Sequence, residues 1–213
     1  MDVTIIGAGN VGRALAGSLQ RAGHQVTVAS KSGDSAAKVA EETGARAAGS
    51  VAEAVRGADA VVLAVPWPSV PDVLGQSGDA VAGKILVDAT NPLKADYSGL
   101  ATNGTSGAEE VQRQAPSAKV VKAFNTQLAA RQADPAVAGG LRVDGYVAGD
   151  DAEAKAAVLG LVEQIGFNPV DAGGLGMARY LESMAFLNIA LQAAHGWSWQ
   201  AGWKLVGPDG DAA

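Results

Sequence analysis

Gly7-Ala8-Gly9-Asn10-Val11-Gly12 has the spacing G-x-G-x-x-G. The apolar, β-branched run Asp2–Ile6 precedes it, and Arg13–Gln20 follows with Leu15, Leu19 and Ala22 at helical intervals. Strand, glycine turn and helix form the setting in which this motif cradles a dinucleotide pyrophosphate. Gly7 permits the tight turn, Gly9 leaves the backbone bare for the phosphates, and Gly12 lets the helix pack close to the strand. The free N–H groups and positive end of that helix supply the anion site. A second strand, Gln25–Ala29, leads into Ser30-Lys31-Ser32. An NAD enzyme places a carboxylate there for the ribose 2′-hydroxyl. This chain offers a cation and two hydroxyls, which suit a 2′-phosphate, so NADP is the expected cofactor.

Three further loops are expected at the same edge of the sheet, because ligands in open α/β sheets lie beyond the carboxyl ends of the strands. Ala60–Val65 reads as a strand buried on both faces. Its end, Ala64 and Val65, and the Pro66-Trp67-Pro68 that follows lie where a nicotinamide ring would pass; a stiff packed turn is the other reading. Lys84–Asp88 ends in Ala89-Thr90-Asn91-Pro92, and Lys119–Ala123 ends in Phe124-Asn125-Thr126. Asn91, Asn125 and Thr126 are candidates for the cofactor wall. For Phe124 and Asn125, core and turn roles stand equally open.

Reactive side chains are sparse. Zero Cys excludes thiolate chemistry and disulfides. Gly104-Thr105-Ser106 has neither the preceding strand nor the second glycine of a nucleophile elbow. Glu109 and Glu110 read as charges in a helix's first turn, and Asp150, Asp151 and Glu153 as an N-cap with a charged first turn, not as metal ligands. His24 and His195 read as structural. No catalytic side chain and no metal site is assigned. Hydride transfer asks for none, because the cofactor carries the chemistry.

The strand–helix alternation predicts an α/β fold: a Rossmann-type, doubly wound, mainly parallel sheet with a small C-terminal α/β portion. Residues 1–140 form the expected NADP-binding domain, and residues 141–213 a smaller domain with acceptor pocket and dimer contacts. Ser35–Thr43 is an expected helix ending at Gly44. Met177–His195 is the longest expected helix; Tyr180, Leu181, Met184, Leu187, Leu191 and Ala194 give it a wide apolar surface, to be buried in the domain or in a homodimer. Three of the four Trp fall between residues 197 and 203, a cluster typical of core or interface. The tail from Gly207 to Ala213 reads as unstructured. At 48% hydrophobic and 18% charged, the 213 residues can build a sizeable core. The net charge of −6 argues against a nucleic-acid surface. No apolar run is long enough for a membrane span and the opening residues do not resemble an export signal, so the expected place of action is the cytoplasm.

Taken in order, Ile6–Gly12, Ser30-Lys31, Val65-Pro66-Trp67, Gly149-Asp150-Asp151, Val170-Asp171-Ala172-Gly173 and Arg179-Tyr180-Leu181-Glu182-Ser183 resemble the coenzyme F420-dependent NADP oxidoreductases over nearly the whole chain. The resemblance implies NADP across the glycine turn, its 2′-phosphate near Ser30-Lys31, and the deazaflavin coenzyme F420 stacked on the nicotinamide against the C-terminal part. Three positions depart from the pattern. Asn125 stands where archaeal members tend to carry His, Ser35 sits about where a further basic residue is found, and Gly174 replaces a Pro. The expected function is hydride transfer between NADP(H) and a planar small-molecule acceptor, F420 foremost. The alternatives are a flavin, ferric complex or small carbonyl as acceptor, or a non-catalytic NADP-binding module.

Overall fold

The computed structural model describes residues 1–137 and 140–207. The tail expectation falls on residues 208–213 almost entirely, outside the described residues. In chain order the elements are β1 (Asp2–Ile6), α1 (Asn10–Arg21), β2 (Gln25–Ala29), α2 (Gly33–Thr43), β3 (Arg46–Ala47), α3 (Val51–Arg56), β4 (Ala60–Leu63), α4 (Val70–Ser77), β5 (Ile85–Asp88), α5 (Gly107–Gln114), β6 (Lys119–Lys122), α6 (Ala129–Ala133), β7 (Asp144–Gly149), α7 (Ala152–Gln164), β8 (Asn168–Gly173) and α8 (Ala178–His195). The strands form one sheet in the order β3-β2-β1-β4-β5-β6-β7-β8. Every pairing is parallel except β6 with β7. The chain adds strands β1 to β3 toward one edge and, from β4 on, toward the other, so the strand order reverses between β1 and β4, the switch point where a doubly wound sheet opens its ligand crevice.

Short strands of this kind need helices on both faces. Ile5, Val28 and Val62 face one layer, packed against Leu15 and Leu19 of α1, Val39 of α2 and Val158 and Leu161 of α7. Ile6, Leu63 and Leu86 face the other, against Val55 of α3, Val73 and Leu74 of α4, Val111 of α5 and Ala178 of α8. α5 starts with a full capping box: Ser106 accepts from the Glu109 amide, and the Glu109 carboxylate accepts from the Ser106 amide. Asp151 caps α7 by accepting from the Ala154 amide at 2.9 Å, and the neighbouring Asp150 accepts from the Leu175 amide at 2.8 Å. Both carboxylates therefore have backbone partners.

α8 divides its apolar side chains between the core and the exterior. It buries Leu181, Glu182, Ala185, Asn188 and Gln192 and leaves Tyr180 and Leu187 exposed. The expected wide apolar surface is split, because polar partners inside the fold claim the other side of the helix. The chain after α8 then returns along β7. The Asp144 amide donates to the Trp203 carbonyl at 2.9 Å, Lys204 Nζ donates to the Asp144 carboxylate at 2.9 Å, and Gln127 Nε2 reaches the Trp203 carbonyl at 3.3 Å. Burial and the adjacent Asp144 push the Tyr146 hydroxyl up to about 12. Trp197 stacks on His195 with ring centres 4.9 Å apart, and Trp197 and Trp199 remain about half exposed. Among the described residues no helix is long and apolar enough to cross a membrane.

Candidate functional site

The opening turn is built by close backbone approach. β1 runs into Gly7 at φ +126, a conformation that side chains rarely adopt. Its amide donates to the Ala29 carbonyl at 2.8 Å. A Cβ on Gly7 would strike the Ala64 carbonyl, and one on Gly12 would strike the Gly7 carbonyl. Gly9 is different: a Cβ there meets nothing within 4 Å. It is the N-cap of α1 and its first turn receives no side-chain capping bond. The amides of that turn therefore remain donors without intrahelical partners. Space beside Gly9 and unmet donors on Asn10, Val11 and Gly12 are the fit that a pyrophosphate needs.

Above this turn lies a cavity of about 400 Å³. Its walls bring together Gly7, Ala8 and Gly9 from the first loop, Ser30, Lys31 and Ser32 from the second, and Ala64, Val65 and Pro66 from the end of β4. Ser35 lies on the same wall. The structure starts α2 at Gly33 rather than Ser35, with Ser32 as N-cap. The positive end of that helix therefore meets the turn where a further cation was missing. The Ser30 hydroxyl closes the turn by donating to the Ser32 carbonyl at 2.5 Å.

The remaining site residues lie apart from that wall. Trp67 is partly buried and packs beside Gly107, whose Cβ would stand 3.1 Å from the indole. Asn91 and Asn125 join the loops after β5 and β6: Asn91 Nδ2 donates to the Asn125 carbonyl at 3.1 Å, and Asn125 Nδ2 donates to Asn91 Oδ1 at 3.0 Å. Thr126 is buried beside them. Phe124 holds φ +64, uncommon for an aromatic residue, and is buried; Gln132 Nε2 donates to its carbonyl. Such a residue persists only where its surroundings over-determine it.

A charged cluster beneath these loops escaped the sequence reading. Lys122 Nζ donates to Asp88 Oδ2 at 2.8 Å, to Glu182 Oε1 at 2.8 Å and to the Thr90 carbonyl at 2.7 Å. All three charged side chains are fully buried. Asp88 also accepts from the Thr90 amide and hydroxyl, and Glu182 from the amides of Gly107 and Ala108. Burial alone would lower the Lys122 ammonium, but the two carboxylates outweigh it and raise it above its usual range. Burial pushes Glu182 up, with Lys122 pulling the other way. The cluster ties β5, β6, α5 and α8 together directly under Thr90 and Asn91. The available signal was a charge closing each of two apolar strands; Asp88 and Lys122 are register partners.

A second ion pair fastens α8 to α5. Arg179 donates twice to Glu109, at 2.8 and 2.6 Å. Arg179, helped by Ser106, lowers the Glu109 carboxyl to about 2 from 4.5. A lowered carboxyl contributes stability that is present above 4.5 and lost as pH falls toward 2. Discounted for solvent screening, the expected loss is about 1 kcal/mol. Melting curves taken from pH 5 downward should show it, and Arg179→Ala should shrink that acid-side slope. An unchanged slope would count against the pair.

Comparison with known proteins gives a consistent picture. Residues 2–92 match the family model described as NADP oxidoreductase, coenzyme F420-dependent. The F420-dependent NADP reductase of Methanothermobacter marburgensis is 30% identical over 90% of this chain and 92% of its own length. The metalloreductase STEAP3 of Rattus norvegicus is 34% identical over 85% of this chain, which spans 36% of that protein. A crystal structure from Arthrobacter sp. FB24, of a candidate F420-dependent NADP reductase, superposes with a TM-score of 0.86 at 32% identity, covering 95% of this chain and 98% of that one.

Proposed function

The chain belongs to the coenzyme F420-dependent NADP oxidoreductase family, and on that premise we propose that it passes a hydride between NADP(H) and coenzyme F420. The carrying observation is the cavity that joins the Gly7–Gly9 turn to Ser30–Ser32 and to the end of β4. In this reading Gly7, Gly9, Asn10, Val11 and Gly12 hold the pyrophosphate. Ser30, Lys31, Ser32 and the start of α2 hold the 2′-phosphate. Ala64, Val65, Pro66, Trp67, Asn91, Asn125 and Thr126 stand beside the stacked rings. Bound NADP(H) and the acceptor supply the redox chemistry themselves. The protein's part is to hold the two reacting carbons about 3–3.5 Å apart and exclude water. Residues 1–140 serve the cofactor; residues 141–213 complete the acceptor pocket and carry dimer contacts. The exposed Tyr180, Leu187, Trp197 and Trp199 support that homodimer. The place of action we assign is the cytoplasm.

One rival acceptor has support of its own. Similarity to a metalloreductase keeps a ferric complex in play. Steady-state oxidation of NADPH with F420, with a free flavin and with a ferric complex decides between them. Turnover with F420 supports the proposal; turnover only with another acceptor rejects it. Membership in an oxidoreductase family favours catalysis over a mere binding module.

The 2′-phosphate assignment has a separate test. Lys31→Glu removes a charge-assisted contact worth about 1.5–3 kcal/mol. NADPH affinity should fall roughly 10- to 100-fold while NADH affinity barely changes. Equal losses for both nucleotides would overturn the assignment.

A further inference from the structure

The chain that follows α8 comes back to the crevice edge of the sheet. β7 runs antiparallel to β6, with Lys122 opposite Ala148, so its first residue, Asp144, lies beyond the carboxyl end of β6. Residues 201–205 cross there as a strap. At one end Arg131 Nε donates to the Gln200 carbonyl at 2.6 Å, and at the other Lys204 Nζ holds the Asp144 carboxylate at 2.9 Å. Between these anchors the strap meets Gln127, which is only 4% exposed. Gln127 Nε2 donates to the Asp144 carbonyl at 2.7 Å and to the Trp203 carbonyl at 3.3 Å, and its Oε1 accepts from the Trp203 amide at 3.3 Å. Both ends of the side-chain amide are thus engaged, as burial of such a group requires. The fit is close: a Cβ on Gly202 would stand 2.6 Å from Val143 Cγ1 and 2.8 Å from Gln127 Oε1.

Gln127 also closes the loop after β6. Asn125 and Thr126 directly precede it, and Phe124 opens the turn at φ +64. Gln132 Nε2 binds the carbonyls of Phe124 and Gln127. One buried glutamine therefore holds the backbone at both ends of the loop, and the other ties its last residue to β7 and the strap. We infer that Gln127 is a positioning residue, through which the C-terminal strap holds Asn125 and Thr126 in place against Asn91. The inference rests on the reading that sets these residues beside the stacked rings, and adds what keeps them there. Gln127 acts through its neighbours and not on a reacting atom. Without its side chain, two carbonyls and one amide lose a partner, and the loop is free to shift. Hydride transfer is sensitive to such a shift, since a misplacement of about 1 Å can cost 10²-fold in rate. NADPH affinity is not, because the charged phosphates that carry most of it sit at the glycine turn and the Ser30–Ser32 turn.

The test uses the intact protein with NADPH and coenzyme F420. Gln127→Met and Gly202→Ala should each lower kcat about tenfold or more while NADPH affinity stays within about threefold of wild type. A side chain that served the fold alone would not separate the two. Because strap and Gln127 act by one route, the double variant should be no slower than the slower single; losses that multiply would overturn the inference. Hydrogen exchange in the ligand-free protein gives a second readout. The peptide over residues 124–128 should exchange about tenfold faster in both variants. If Gln127→Met does not fold, Gly202→Ala and Lys204→Met act on the strap instead and carry the same expectations. A kcat within about twofold of wild type, or unchanged exchange at residues 124–128, would overturn the inference and leave the proposed function standing. Absence of F420 turnover in wild type would overturn the proposed function. The exchange result then decides the role of the strap by itself, since it needs no acceptor.

Discussion

Lys122→Met should lower stability by about 3–5 kcal/mol, the cost of leaving buried charge uncompensated. For a chain of this size that is a fall of about 10 °C in melting temperature. The reason lies in the count of charges. Among the described residues Lys122 is the one cation paired with Asp88 and Glu182, and all three side chains are fully buried. Removing it leaves two carboxylates facing each other out of water. The expected pH dependence follows from Glu182. Its carboxyl is already held above the usual range by burial, with Lys122 opposing. Without Lys122 it rises further, so the folded state takes up a proton more readily than the unfolded chain. A raised carboxyl destabilises above its folded value and recovers below it. The penalty of Lys122→Met should therefore be greatest at neutral and alkaline pH and shrink on acidification. Melting within about 2 °C of wild type at pH 8, with no change in pH slope, would refute the role given to the cluster. Thr90 supplies a functional readout too, since Lys122 and Asp88 bind its carbonyl, amide and hydroxyl. Any variant that folds should show a loosened Asn91 loop.

Gly9→Ala should cut NADPH affinity by about 10²-fold at a stability cost of no more than about 1 kcal/mol, the difference between Gly and Ala as N-cap. A methyl at Gly9 meets nothing within 4 Å, so the fold has room for it. That same space is where the pyrophosphate is expected to approach the first amides of α1, and losing a hydrogen bond to a charged group, worth about 1.5–3 kcal/mol, weakens binding by up to about 10²-fold. Gly7→Ala and Gly12→Ala serve as contrasts. Both would drive a methyl into a backbone carbonyl, and Gly7 also sits at φ +126. They should unfold the turn itself. Melting curves paired with NADPH titration separate the classes: binding lost with most stability kept at Gly9, both lost at Gly7 and Gly12. Gly9→Ala with wild-type affinity would remove the phosphate from that position.

Much of the lining of the cavity proposed for the cofactor was legible in the linear chain. The glycine spacing, the polar Ser30-Lys31-Ser32 turn and the apolar run before Ala64 each carry their meaning within a few residues. Parallel pairing of β1 with β2 and β4 then brings them to one wall. Even here a boundary mattered. α2 begins two residues early, which turns an absent basic residue into a helix terminus. The Asn91–Asn125 bond shows the opposite case. Each residue was a candidate alone, but their mutual hydrogen bonds depend on β5 lying beside β6.

Hydrophobic periodicity and turn chemistry are local, so the sequence alone determined the alternation of strands and helices, the glycine turn and the capping of α7. The buried ions and the orientation of α8 are long-range. Lys122 meets Asp88 across 34 residues and Glu182 across 60. A lysine or glutamate in a sequence reads as solvated, because burial costs more than a lone charge can recover. Only the tertiary structure supplies partners that reverse that balance. The same partners turn Glu182 inward and leave Tyr180 and Leu187 facing out.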